Sequence, residues 1–187
     1  MTATNQRLWT VHEYYWMEEL GILNPEERTE LVNGEVMLMA AKRPAHSAIT
    51  KRATDYLRKL LSGIGDIRIQ EPIHLSDNSE PEPDIAVVQI DARDYVDHHP
   101  VPSEIFLVIE VADTTLNYDR KKKASAYAKA SITDYWVVDV NGEQVYIFRD
   151  SEPVTGVYTQ KSIMGSSKTV RMLAFPEVEV ELGRFFP

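Results

Sequence analysis

The chain has 187 residues, 43% hydrophobic and 26% charged, which is ordinary for a folded soluble protein with a buried core. It contains no cysteine, which excludes disulfides, a thiolate nucleophile and any zinc site built on sulfur. Lys and Arg number 20 against 29 Asp and Glu, a net charge of −9. That balance counts against binding nucleic acid through a generally basic surface, while leaving room for a local basic patch.

The opening residues lack the basic start and apolar stretch of a signal peptide. Apolar runs such as 105–109 fall far short of the roughly 20 residues a bilayer span needs. A cytoplasmic protein without a membrane partner is the expectation. Thr10 and Glu13 form a capping-box pattern that predicts a helix to about Leu20, with Trp9 as a hydrophobic staple and Gly21 as the stop. Residues 30–39 read as a tight hairpin, because Asn33-Gly34 suits the two positive-φ positions of a two-residue turn. From His46 to about Leu61, apolar residues recur at helical spacing before Ser62-Gly63. Ile67, Ile69, Ile73 and Leu75 alternate and predict a strand, followed by a proline-rich loop at 76–83.

Residues 85–90 read as a short buried strand and 91–104 as a long acidic loop. Its adjacent His98 and His99 fit a surface loop better than a metal pair. Residues 105–111 give the clearest core strand. Residues 119–130 read as a helix with Ala124, Tyr127 and Ala128 inward, and 135–140 as a strand. Asn141-Gly142 reads as a tight turn into a strand over 143–149, and the remainder suggests short antiparallel strands. The aromatic Asp134-Tyr135-Trp136 cluster heads a core strand, so packing explains it better than base stacking. No repeat, low-complexity segment or linker interrupts the chain. The middle therefore runs helix, strand, strand, strand, helix, strand, an α/β structure with a mixed sheet.

Two acids stand out against this pattern. Asp84 opens one strand and Glu110 lies near the end of the next, so antiparallel pairing brings both to one sheet edge. Alternation puts Glu110 on a face shared with Phe106, Val108 and Ala112. Burying an unpaired carboxylate there costs several kcal/mol, so it needs a partner. A hard divalent ion, Mg²⁺ or Mn²⁺, suits two carboxylates. A salt bridge to Arg or Lys, or a strand-end acid reaching water, accounts for the same pattern, and spacing alone does not choose. Residues 120–123 put four cations at a helix start, against the helix dipole. Lys123, four residues before Tyr127, borders the apolar face and can turn toward the sheet, whereas Lys122 is expected in solvent. An ammonium beside an attacking water and a phosphate would offset developing negative charge.

Taken in order, residues 30–35 (Glu-Leu-Val-Asn-Gly-Glu), His46, Pro83-Asp84, Ile109-Glu110-Val111, Asp119-Arg120 with Lys123, Tyr127-Ala128 and residues 134–139 resemble a large bacterial family, the Uma-type restriction-endonuclease-like proteins. The resemblance covers roughly residues 8–185. It implies the PD-(D/E)XK nuclease fold, here one domain over 1–187 with its core at about 46–140, an N-terminal hairpin and C-terminal antiparallel strands. It implies Asp84 and Glu110 as ligands of Mg²⁺ or Mn²⁺ and Lys123 as the catalytic lysine. In the wider superfamily that lysine commonly sits two residues after the acid, where this chain has Ala112 on the same strand face. Glu30 matches an early acid that would act with the metal through water. His46 matches a family histidine, with capping or support of the site as its role. Ser131 stands where relatives often have a helix-ending glycine. The activity so implied is Mg²⁺-dependent DNA endonuclease cleavage. A homodimer is expected, because enzymes that cut both strands often act as symmetric pairs and the hairpin edges at 30–39 and in the C-terminal strands need covering. A catalytically silent module binding DNA or protein, and a carboxylate-metal hydrolase of small phosphate esters, are the alternatives.

Overall fold

The computed structural model describes residues 6–187. Helix α1 (Val11–Glu19) starts at the Thr10 capping box: the Thr10 side chain accepts from the Glu13 N–H and the Glu13 carboxylate accepts from the Thr10 N–H. Trp9 and Tyr14 share a small cluster with Val11, Met17 and Leu31, so the staple forms as expected. Strands β1 (Thr29–Val32) and β2 (Glu35–Leu38) make the hairpin, with Asn33 and Gly34 at φ 51° and 78°. Gly34 is also required by crowding, since a Cβ there would lie 2.5 Å from that of Leu8.

The main sheet has six strands in the order β3-β4-β5-β6-β7-β8: β3 (Asp66–Arg68), β4 (Ile85–Val88), β5 (Ile105–Ala112), β6 (Asp134–Asp139), β7 (Gln144–Glu152) and β8 (Val157–Gly165). Only β5 and β6 pair in parallel. A parallel pair needs a crossover, and residues 113–133 supply it. Helix α2 (Pro44–Leu60) covers one face, its Ile49, Ala53 and Leu57 meeting Ile85, Leu107, Ile109 and Trp136. The crossover helix covers the other. It begins as one turn, α3 (Leu116–Tyr118), widens into a π turn (Asp119–Lys123) and continues as α4 (Ala124–Lys129). Ala124, Tyr127 and Ala128 pack there on Val108, Ala112 and Tyr135. Two further strands, β9 (Thr169–Arg171) and β10 (Glu179–Glu181), pair antiparallel and close the α2 side with Val170, Val180 and Phe185.

Several local expectations are corrected. The alternation over 67–75 yields only three residues of strand. Gln70 turns to φ 53°, and its N–H reaches the carbonyls of Pro83 and Asp84. Ile73 and Leu75 are still buried, through bonds of their N–H groups to Pro81 and Ser79, which explains the misleading pattern. Residue 106 departs from simple alternation as well. The β4–β5 register shifts between Val87 and Val88, and Phe106 packs with Phe175 on the α2 side. The β6–β7 connection is not a two-residue Asn-Gly turn: Asp139 pairs with Gln144, and the positive φ, 45°, falls on Glu143. Asp139 fixes this loop by accepting from the Gly142 N–H. The crossover helix starts three residues earlier than the charge pattern suggested. Ser131 takes φ 64° at its end, the conformation a glycine would adopt without strain.

Trp136 and Tyr135 are fully buried, as packing requires. Asp134 holds the Trp136 indole N–H and a two-point ion pair with Arg149, a structural use of that acid.

Candidate active site

The β4–β5 register sets Ile85 opposite Ile109. Asp84, just before β4, and Glu110 then lie one step beyond, at the same edge of the sheet, with Glu110 on the α4-facing side. Asp84 is tied down at both oxygens. Its Oδ2 accepts the Val111 N–H at 2.8 Å and lies 3.1 Å from His46 Nε2, and its Oδ1 accepts from Gln70 Nε2 at 3.1 Å. His46 therefore supports Asp84 from the first turn of α2. The N-cap of that helix is Arg43, which makes no side-chain capping bond.

Glu110 is 4% exposed among otherwise apolar neighbours on β5, and its partner is Lys123. The Lys123 ammonium donates to Glu110 Oε1 at 2.9 Å and lies 3.0 Å from Glu30 Oε2. The π turn and α4 aim Lys123 and Tyr127 at the same acid, and the Tyr127 hydroxyl donates to Glu110 Oε1 at 2.7 Å. Glu30, on β1, also accepts the Glu82 N–H through Oε2. Asp119 is buried beside them and accepts from Thr115 Oγ1 through Oδ2. Glu30, Glu110 and Asp119 thus each hold their protein donors on one oxygen. Among the described residues no donor reaches the other.

Lys121 is exposed, and Lys122 is not in open solvent as expected. It pairs with Glu35 at the end of the hairpin turn, which fastens β2 to the crossover helix. Glu30, Glu110, Asp84, Asp119, Lys123 and His46 line a cavity of about 300 Å³ walled by the hairpin, residues 39–42 and the crossover. His98 and His99 take no part in it; His98 stands 3.4 Å from Glu104 on the loop.

The electrostatics follow from three acids around one ammonium. Burial pushes the Glu110 carboxyl up to about 8 against the pull of Lys123, with Asp119, Asp84 and Glu30 adding to the rise. Burial likewise pushes Asp119 up to about 6, opposed by Lys123 and Thr115. Asp84 moves the other way: burial raises it, but His46, the Val111 N–H and Gln70 together hold it below its ordinary value. Burial alone would strip the Lys123 proton, yet Glu110, Glu30 and Asp119 keep the ammonium charged.

A pH dependence follows. Glu110 and Asp119 bind their protons more tightly folded than unfolded, where carboxyls titrate near about 4. Between about pH 4 and 8 the folded state therefore carries more protons, and its stability falls as pH rises. The contribution of Asp84, lowered in the fold, is lost only as pH drops below about 4. The metal-free protein should melt at a higher temperature at pH 6 than at pH 8. A melting temperature that instead rises over that interval in chelator would contradict this assignment of protons.

No three His, Asp or Glu side chains among the described residues converge as a preformed metal cage. The donor set nevertheless suits a hard cation. Mg²⁺ commonly keeps several waters and takes only one or two protein carboxylates. Asp84 and Glu110 would supply these, with the spare oxygens of Glu30 and Asp119 accepting from bound water.

Pattern reading did not single out Asp119, Tyr118 or the hydroxyl of Tyr127 as parts of the site. Asp119 opens a charged run that looks solvated, and Tyr127 reads as an inward apolar residue. Only the helix position relative to Glu110 reveals either.

A mixed sheet with antiparallel flanks, covered by a helix on each face, is a restriction-endonuclease-like fold. The chain belongs to the Uma2 family, described as "Putative restriction endonuclease", whose model matches residues 11–183. Its fold is similar to that of a crystal structure from Anabaena variabilis, described as "a putative nuclease belonging to DUF820". The TM-score is 0.74 at 15% identity, over 95% of this chain and 97% of the other. No curated protein sequence matches the chain. Among the described residues no helix is long and apolar enough to cross a membrane.

Proposed function

We propose that this chain hydrolyses phosphodiester bonds in DNA with Mg²⁺ or Mn²⁺. The observation that carries the reading is the buried Lys123 ammonium bridging Glu110 and Glu30, in a cavity that Asp84 also lines. A bound divalent ion would supply Lewis-acid activation of the phosphate and of an attacking water. Asp84 and Glu110 would hold it, with Asp84 kept ionised and oriented by His46, Gln70 and the Val111 N–H. Lys123 would offset negative charge that develops on the phosphate, and Tyr127 would fix the Glu110 oxygen it shares with that lysine. Glu30 would orient the ammonium and accept from water. The family description and the fold of the Anabaena protein support a nuclease over a hydrolase of small esters.

Purified protein incubated with duplex and single-stranded DNA and millimolar Mg²⁺ or Mn²⁺ should give fragments, and Asp84→Asn and Lys123→Ala should each reduce the rate at least 100-fold. Intact DNA under every condition, with binding retained, would put a silent DNA-binding module in its place. Cleavage confined to a small chromogenic diester would favour the small-ester hydrolase. A homodimer belongs to the same reading, since cutting both strands of a duplex calls for two sites related by a two-fold axis. A single-chain mass by light scattering at micromolar protein would remove that part alone.

A further inference from the structure

We propose that the Tyr118 hydroxyl is a substrate-binding group, donating a hydrogen bond to a phosphate oxygen held in the cavity. The proposal rests on the phosphodiester reading and adds a residue that no motif marked. Tyr118 lines the cavity, and its hydroxyl is buried with no hydrogen-bond partner among the described residues. Most buried tyrosines of the protein place the hydroxyl proton on a protein acceptor. Tyr14 donates to Thr29, Tyr95 to the Gln89 carbonyl, Tyr127 to Glu110, Tyr135 to the Asp119 carbonyl and Tyr158 to the Ile132 carbonyl. A buried hydroxyl without a partner is costly, so folded chains rarely keep one without a use for it.

The surroundings define what it can bind. Tyr118 sits at the junction of α3 and the π turn, one residue before Asp119 and five before Lys123. The nearby acids do not take this proton in the structure. Glu110 Oε1 receives Lys123 and Tyr127, and Glu30 Oε2 receives the Glu82 N–H and lies beside Lys123. No donor among the described residues, Tyr118 included, reaches their second oxygens. Burial, reinforced by the charge of Glu30, also makes the phenol harder to ionise, so it offers a proton and no negative charge. Its complement is an acceptor atom brought in from outside. In a site that pairs a lysine with metal-binding acids, an anionic phosphate oxygen fits. The hydroxyl and the Lys123 ammonium would then grip the same group.

Tyr118→Phe tests this, because it keeps the ring and removes only the oxygen. Two readouts are needed. Without ligand or metal, the melting temperature should stay unchanged or rise slightly, since a hydroxyl with no partner is lost. A fall of several degrees would mean that the hydroxyl has a structural partner, and it overturns the proposal. The second readout is affinity for a short fluorescent DNA in Ca²⁺, a non-cleaving stand-in for Mg²⁺, where the variant should bind about 10-fold or more weakly, as expected for a bond to a charged oxygen. Equal affinity in wild type and variant, with normal melting, also overturns it. If the wild type itself fails to bind DNA while the variant melts normally, the nuclease reading has failed and the phosphate assignment falls with it. Weakened binding with unchanged melting leaves the donor role as the explanation.

Discussion

Millimolar Mg²⁺ or Mn²⁺ should raise the melting temperature of the wild-type chain by about 5–10 °C, and Asp84→Asn or Glu110→Gln should abolish the rise. A ligand that binds only the folded state at about 100 times its Kd stabilises by about 2.7 kcal/mol. In a chain of this size each kcal/mol moves the midpoint by about 2–4 °C. The folded state alone brings Asp84 and Glu110 onto one sheet edge, because residues 26 apart in sequence become neighbours only through the β4–β5 pairing. The rise should also grow with pH between 6 and 8. The ion needs ionised carboxylates, and Glu110 and Asp119 bind protons over that interval. Asp84→Asn should leave the metal-free protein folded, since the amide still accepts the Val111 N–H. A wild-type melting curve that does not move with either ion removes the metal-site reading, and the silent-module alternative then takes over.

Legibility in the sequence followed the range of the interactions. The Thr10–Glu13 box, the Asn33-Gly34 turn, the helical spacing of α2 and the apolar run of β5 are local signals, and each produced its element. The paired position of Asp84 and Glu110 was readable because neighbouring strands most often pair, and antiparallel pairing fixes which ends meet. What stayed hidden depends on partners far along the chain. Gln70 breaks its strand to bond residues 83 and 84, and Lys122, still partly exposed, turns to Glu35, 87 residues away. The burial of Asp119 and of the Tyr118 hydroxyl depends on how the π turn meets the rest of the fold. No periodicity encodes that contact.

The second large effect is expected from Lys123→Met, which keeps the aliphatic stem and removes the charge. Lys123 and both partners are about 5% exposed or less. Breaking a buried ion pair by deleting one member typically costs about 3–5 kcal/mol, because the remaining charge is left uncompensated. Here the ammonium faces Glu30 and Glu110 together, with Asp119 close enough to raise its proton affinity. Without it the three acids face one another, and each disfavours ionisation of the next. The metal-free variant should therefore melt about 10 °C or more below wild type at pH 8. It should recover part of that loss at pH 6, where protons can neutralise Glu110. A divalent cation can do the same work at pH 8. The metal-induced rise in Lys123→Met should thus exceed that of the wild type. On the proposed function, the variant expected to lose cleavage would then gain more stability from the ion than the wild type does. A metal-induced rise smaller than that of the wild type would show that Lys123 helps to build the metal site rather than competing for its acids. Melting curves at pH 6 and 8, with chelator and with Mn²⁺, distinguish the two outcomes.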